Sequence, residues 1–491
     1  MRFAYDAEQV RAAEKPLLAA LPEGALMQRA ATALARRCAS VLGSTYGARV
    51  VLLVGAGNNG GDALYAGAQL SRRGARVDAV QTAERVHEAA LAAFLAAGGR
   101  RTESSRPAVD QLVRSADLVV DGMLGIGGRG GLRGEQARVA ALLDDGNAAV
   151  VAVDVPSGVD ASTGAVDGPA VRADVTVTFG ALKTGLVVSP GAGLAGLVEV
   201  VDIGLDLPAA DVRLLDADDV AALVPPPEGE TDKYRRGVVG VAAGSEQYTG
   251  AAVMAVGGAV RAGAGMVRYA GPARAADQVR TAWPEAVVTD LGVGDGSAVT
   301  AIGRVQAWVV GSGLGSDDDA EQVVRAVLDT DVPVVVDADA IAVIARSPEL
   351  VHRRTAPTVL TPHAGEFARL VGTDRQDVEA RRLEHAKRAA AELGVVVLLK
   401  GATTLVAAPE GGVWVNSVDT PYLATAGSGD VLSGVIGALL AGGVEAAAAA
   451  AAGAFLHGLA GVHAAGRRAA PIAAMDIAMT LPEAWRTIRG R

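Results

Sequence analysis

Short valine-rich runs, each ending in a glycine turn or an acid, recur along the whole chain. Arg49 to Gly55, Asp117 to Asp121, Ala149 to Asp154 and Asp174 to Phe179 form one series. Gly237 to Ala243, Ala307 to Gly311, Val332 to Asp337, Val359 to Thr361 and Val395 to Leu399 form a second. Short apolar runs bounded by turn residues read as strands buried on both faces, which a parallel sheet covered by helices provides. The stretches between them are rich in alanine. The chain is 50% hydrophobic but only 3% aromatic, with 62 glycines, which fits α/β architecture and not disorder. At 491 residues it exceeds one ordinary core. The pattern breaks between Asp206 and Pro227, where Pro225-Pro226-Pro227 precedes Glu228-Gly229-Glu230 and reads as an exposed linker. Two three-layer αβα domains are therefore expected, at 1–212 and 228–491.

Charge and cysteine content exclude several classes. The net charge is −10, and Lys233-Tyr234-Arg235-Arg236 is too short a basic run for a nucleic-acid face. The one cysteine, Cys38, rules out an internal disulfide and fits a reducing cytoplasm. Residues 1–15 are charged from the start and carry no signal-peptide core. The most membrane-like run, Val435 to Leu456, is broken by Gly442-Gly443 and Glu445 and reads as packed helices, so no membrane partner is expected.

In the first half, residues 6–42 read as helices. The strand from Arg49 then meets Gly55-Ala56-Gly57-Asn58-Asn59-Gly60-Gly61-Asp62. With Asp78 downstream, this turn alone is compatible with an NAD-dependent oxidoreductase. The oxygen-bearing side chains Asn58, Asn59 and Asp62 are unusual in a pyrophosphate turn; they suit hydroxyl groups or a hard cation, or serve turn and N-cap chemistry. Asp121 and Asp154 both end strands, on the ligand edge of an open α/β sheet. The loop Gly122 to Gly134, with Arg129 and Arg133, offers backbone amides and guanidiniums to a diphosphate. Lys183 also follows a strand; it is not a Walker lysine, because Leu182 stands where glycine is needed, and it is either a site residue or a surface charge.

In the second half, Gly311-Ser312-Gly313-Leu314-Gly315 is another glycine turn. Thr361-Pro362-His363 follows a strand and has Glu366 nearby, and Lys400-Gly401-Ala402-Thr403-Thr404 offers a cation and hydroxyls to a nucleotide phosphate. The other histidines show no metal-ligand spacing. Ala426-Gly427-Ser428-Gly429-Asp430 runs into an apolar helix beginning near Val431. Free amides at a helix start cradle a phosphate. A carboxylate there suits a base that takes a proton from an attacking hydroxyl, or else an ordinary N-cap.

Asn58-Asn59-Gly60-Gly61-Asp62, Asp121 with its glycine loop, and Asp154-Val155-Pro156-Ser157-Gly158, in that order, resemble the epimerase domain of NAD(P)H-hydrate repair enzymes. The resemblance implies a Rossmann-like fold and a potassium ion held by Asn59, Asp121 and Ser157. It implies hydrate contacts from Asn58, Asn59, Gly60, Gly61, Asp62, Gly125, Ile126, Gly127, Gly128, Arg129, Gly130, Gly131 and Asp154. Asp154 and Lys183 are the candidates for proton transfer. Where many relatives have glycine after Asp62, this chain has Ala63. The second series, with Thr361-Pro362-His363-x-x-Glu366 and Gly427-x-Gly429-Asp430, resembles the ribokinase-like ADP-dependent NAD(P)H-hydrate dehydratases. By that resemblance Ala251, Gly315, His363 and Asp430 face the hydrate, while Lys400, Gly401, Ala402, Thr403, Thr404 and Gly429 hold ADP, which brings Mg2+. The fusion, in this order, is the arrangement of the bifunctional enzyme. It implies repair of NADHX and NADPHX, with Asp430 as catalytic base, in a cytoplasmic homo-oligomer. The competing reading is an ATP-dependent small-molecule kinase of the ribokinase-like superfamily, which leaves the first domain unexplained.

Overall fold

The computed structural model describes every residue except 103–105, 129, 145, 228, 293–294, 419 and 491. The chain divides into two compact units: residues 3–211 with 379–382, and residues 212–378 and 383–491 with the first two residues.

In the first unit seven parallel strands order as Arg100–Thr102, Arg76–Gln81, Arg49–Val54, Leu118–Gly122, Ala149–Val153, Val175–Phe179, Leu197–Val201. Alternation along one strand builds both cores. Val50, Leu52 and Val54 join the layer that includes the helices Ala25–Leu42 and Asn58–Arg72, while Val51 and Leu53 join the opposite layer. Cys38 is buried in the first of these layers, where burial pushes its thiol up to about 12, so it packs as a small inert residue. The chain grows outward from Arg49–Val54 in one direction, then returns to its other side at Leu118–Gly122. That reversal leaves a crevice at the carboxyl ends of these two strands, where α/β sheets place ligands.

The second unit repeats the logic. Its parallel strands run Val396–Leu399, Thr358–Leu360, Val334–Val336, Ala307–Val310, Val238–Ala242, Met266–Gly271, Val287–Asp290, with the reversal between Val238–Ala242 and Ala307–Val310. Beyond Val396–Leu399 lies an antiparallel hairpin, Thr404–Ala407 and Val413–Asn416, which no period-2 signal in the sequence had marked. Register aligns the exits: Ala242 pairs with Val310, Val310 with Val336, and Val336 with Leu360. Four loops therefore leave the sheet side by side.

The run Val435 to Leu456 spans two helices, Ser428–Ala441 and Ala446–Ala465. Ala446–Ala465 is long and apolar enough to cross a membrane, but 83% of its apolar window is buried inside the protein. Ser428–Ala441 packs on Thr249–Ala262 through reciprocal glycines. A Cβ on Gly258 would lie 2.2 Å from the Val431 carbonyl oxygen, and one on Gly434 would lie 2.1 Å from that of Ala255. This contact fixes the height of the Ser428 helix, and so of its first turn.

Candidate functional site

At the first reversal, Gly57 is the N-cap of Asn58–Arg72 and no side chain caps it. Asn59 and Asp62 are thus not used as caps. Asn59 Nδ2 donates to the carbonyls of Val153 (2.6 Å) and Leu124 (3.2 Å). Asp121 is fully buried; it accepts from Ser157 Oγ (2.6 Å), Ser157 N (2.8 Å) and Met123 N (3.3 Å). Burial pushes its carboxyl up to about 6 against those hydrogen bonds. Ser157 Oγ in turn accepts from Leu124 N at 2.9 Å. Asn59 and Ser157 therefore both donate to one loop carbonyl, that of Leu124, and Asp121 joins them through Ser157.

Lys183 is not a surface charge. It is 1% exposed and donates to Asp154 Oδ1 (2.6 Å) and the Phe179 carbonyl (2.7 Å). Thr178 Oγ1 and Phe179 N also donate to Asp154. Asp154 sits at φ 67°, in the left-handed region that side chains avoid. Such a backbone costs about 1–3 kcal/mol, and here the ion pair and two further donors hold it in place. Asp62 is buried, with Oδ1 lacking any hydrogen-bond partner. Burial first, then the charges of Asp154 and Glu14, push it well above the usual carboxylate range.

In the loop, a Cβ on Gly125 would lie 2.4 Å from Asn59 Oδ1, the Ile126 carbonyl accepts from Arg11, and Gly131 lies against Gly168. Gly128 and Gly130 lie between these contacts, and Arg129 is outside the described residues. Ala63 is helical and fully buried, so the alanine alters no backbone angle; its methyl takes the space that a Cβ on Gly122 would need. Asp78 departs from expectation. It lies inside Arg76–Gln81 and not at its carboxyl end, paired with Arg100 (2.7 Å) and Arg76 (3.4 Å). It is a sheet ion pair with no reach to a ribose, which removes the plain dinucleotide fingerprint.

At the second reversal the helix starts at Ser428, three residues earlier than expected, with Gly427 as N-cap at φ 85°. Asp430 is therefore inside the first turn, and the N-cap reading fails. Burial and the nearby Asp337 push it up to about 7, while a hydrogen bond from Ser312 and the charge of Lys400 hold it down. Lys400 Nζ donates to Asp337 Oδ1 at 2.8 Å and would lie 3.1 Å from a Cβ on Gly429. Burial pulls the Lys400 ammonium down, but Asp337, Glu366 and Asp430 outweigh it and its pKa is raised. Gly315 N donates to Asp339 Oδ2 (2.9 Å), and Ala251 packs where Gly313 has no side chain.

His363 has a mainly local task. It caps the helix Ala364–Val371, its Nδ1 accepting from Gly365 N and Glu366 N, while Glu366 accepts from the His363 amide. Burial lowers its pKa, as an accepting imidazole requires. Its ring is 56% exposed at the strand edge, so capping leaves a face open. Gly401 and Ala402 are exposed, Thr403 is buried, and Thr404 Oγ1 donates to the Gly401 carbonyl.

Three participants had no role in the sequence reading. Asp337, 1% exposed, joins Lys400, Ser433 Oγ (2.8 Å) and Ser312 Oγ (3.5 Å). Its signal was available, since it too is an acid ending a strand. Ser433 gave none, being one turn inside an apolar helix. His457, buried on Ala446–Ala465, contacts the Ser428 carbonyl at 2.9 Å; burial lowers its pKa to about 4, so it stays neutral.

The comparisons agree with this division. A family model described as NAD(P)H-hydrate dehydratase matches residues 239–483, and one described as YjeF-related protein N-terminus matches 23–185. The chain is 50% identical over 458 residues to the bifunctional NAD(P)H-hydrate repair enzyme Nnr of Mycobacterium tuberculosis (strain H37Rv), covering 92% of each. It is 50% identical over 464 residues to that of Mycobacterium leprae (strain TN), covering 93% of each. Among solved structures, the ADP/ATP-dependent NAD(P)H-hydrate dehydratase of Bacillus subtilis, co-crystallised with ATP/Mg2+, aligns with TM-score 0.52 and 30% identity. That alignment covers 57% of this chain and 100% of that one.

Proposed function

The chain belongs to the bifunctional NAD(P)H-hydrate repair enzymes, and from that premise we propose how its two sheet edges divide the work. Residues 1–212 interconvert the two epimers of hydrated NAD(P)H, and residues 228–491 dehydrate the S epimer at the expense of ADP. The observation that carries the second half is Asp430: a carboxyl poised at about 7, in the first turn of a helix, beside Lys400.

The hydroxyl on the hydrated nicotinamide ring gives its proton to Asp430, and its oxygen attacks the terminal phosphoryl of ADP. The amides of Gly427 and Gly429 and the Lys400 ammonium meet the developing charge. AMP departs. The phosphate ester beside the electron-rich ring nitrogen then leaves as phosphate, and loss of a ring proton restores the reduced cofactor. Asp337 holds Lys400 in place, and Ser312 orients Asp430. Four carboxylates (Asp337, Asp339, Glu366 and Asp430) share this edge with Lys400, so a bare diphosphate would be repelled; Mg2+ bound to the nucleotide would offset that charge.

At the first edge, inversion of the hydroxyl-bearing carbon needs a proton delivered to the departing hydroxyl and one taken from the incoming water. Asp154 and Lys183 are the pair we assign to that traffic. The Asn59 amide, Asp121, Ser157 and the carbonyls of Leu124 and Val153 fit potassium. Turning the Asn59 amide over would make the set all-oxygen with one formal charge, which suits a monovalent hard cation. Such an ion would supply charge that fixes the loop and keeps Asp121 ionised. A cytoplasmic homo-oligomer goes with this reading; the one cysteine, buried Cys38, needs no oxidising compartment.

The deciding experiment supplies hydrated NADH with either ADP or ATP and follows the nucleotide products. AMP and phosphate appearing in step with reduced cofactor support the reading. A phosphorylated product that accumulates without reduced cofactor would make the chain a kinase and overturn it.

A further inference from the structure

The strongest unassigned feature is a cleft of about 560 Å³ in the second unit, under the prolines Pro225 to Pro227. It is lined by the last turn of Ser428–Ala441, whose first turn carries Asp430. At 1.5 Å per residue the two are roughly 15 Å apart, so this is not an extension of the catalytic edge.

Five arginines line it: Arg235, Arg236, Arg261, Arg486 and Arg489. Among the described residues none of the five forms an ion pair, in a chain of net charge −10. Among the described residues, the hydrogen bonds their guanidiniums make go to carbonyls. Arg236 donates to Gly263, Arg261 to Met479, Arg489 to Val224 and Arg235 to Glu230; Arg486 makes no hydrogen bond among the described residues. Trp485 also lines the cleft, with Arg489 stacked 4.5 Å from its ring centre. Two donors here, Arg261 Nε and Trp485 Nε1, are buried without partners.

Helix ends explain part of this charge. Three helices finish here, at Ala262, Ala441 and Arg489, and each C-terminus carries about half a negative charge. With the Glu230 side chain and Asp232, which faces Arg235, counted as well, about one and a half positive charges are left over among the described residues. A cleft of this size lies within the range of small-ligand sites. Guanidinium forks match phosphate oxygens, and an indole offers a stacking face or edge to a second ring.

We propose that this cleft, lined wholly by residues of the second unit, binds a small phosphate ester carrying an aromatic ring, at a site separate from the Asp430 edge. Phenyl phosphate and inorganic phosphate are the probes, titrated calorimetrically into the full chain with ADP at saturation. Phenyl phosphate should bind once per chain, at least tenfold tighter than inorganic phosphate, and weaken as salt rises. Arg486→Gln should weaken both probes by tenfold or more. Trp485→Leu should erase the difference between them. Dehydratase activity and circular dichroism of Arg486→Gln should match wild type; if that variant fails to fold, Arg235→Gln takes its place. No phenyl phosphate binding beyond the ADP site, equal affinity for the two probes, or indifference to the arginine variants would each overturn the proposal. Because the variants lie away from Asp430, failure here leaves the catalytic reading standing.

Discussion

The two ligand edges share a plan and differ in how each holds its key carboxylate. In the first unit Asp154 is locked by the buried Lys183 and two further donors. In the second, a hydrogen bond from Ser312 and the charge of Lys400 moderate Asp430, and burial raises it to about 7. One edge pairs its carboxylate with a buried cation; the other leaves a carboxyl near the point of exchange. Both carry a non-glycine residue at positive φ beside an acid: Asp154 itself, and Ala338 (φ 47°) between Asp337 and Asp339. A parallel sheet can thus aim acids at a crevice with strained backbone, and local charge decides what each acid does.

The sharpest break of this comparison comes from Asp430→Asn. Loss of a general base costs about 10²–10⁴-fold, so dehydratase kcat should fall by that much while epimerase kinetics stay unchanged. Lys183→Met should act in the reverse sense. It leaves Asp154 buried without its cation, which costs about 3–5 kcal/mol of stability in denaturant unfolding and removes epimerase activity. Retained epimerisation in that variant would show that the pair is structural only.

A third test is pH. Asp430 is protonated below about 7 and charged above it, and a base works in the charged form. Dehydratase kcat/KM should therefore fall about tenfold per unit on the acid side of about 7 and level off above. Replacing potassium with choline should slow epimerisation and spare dehydration, and Asp121→Asn should blunt that response. The smallest effect is on stability. A carboxyl raised in the folded state favours folding when protonated, and that contribution is lost as pH rises through about 7. Asp430→Asn should therefore raise Tm by a few degrees at pH 8 and change it little at pH 4.

Glycine turns and strand-end acids made both edges legible, because each is a local signal. Asp337 was open to the same rule, but its importance rests on Lys400 and Ser433, 63 and 96 residues away in sequence. Lys183 could be placed at a strand end but not known to be buried, since burial comes from Asp154 and Phe179. Asp78 misled because a ribose acid and a sheet ion pair share the same spacing; its partners, Arg100 on the neighbouring strand and Arg76 on its own, separate them. The hairpin after Lys400 escaped because Leu405, Val406 and Ala407 are all buried and give no alternation.

The most direct measurement follows near-ultraviolet recovery from a mixture of both hydrate epimers with ADP. Wild type should run to completion, Asp154→Asn should stop when one epimer is spent, and Asp430→Asn should not start. Full recovery by Asp430→Asn, or loss of both activities in either folded variant, would contradict a chain whose two sheet edges do separate chemistry.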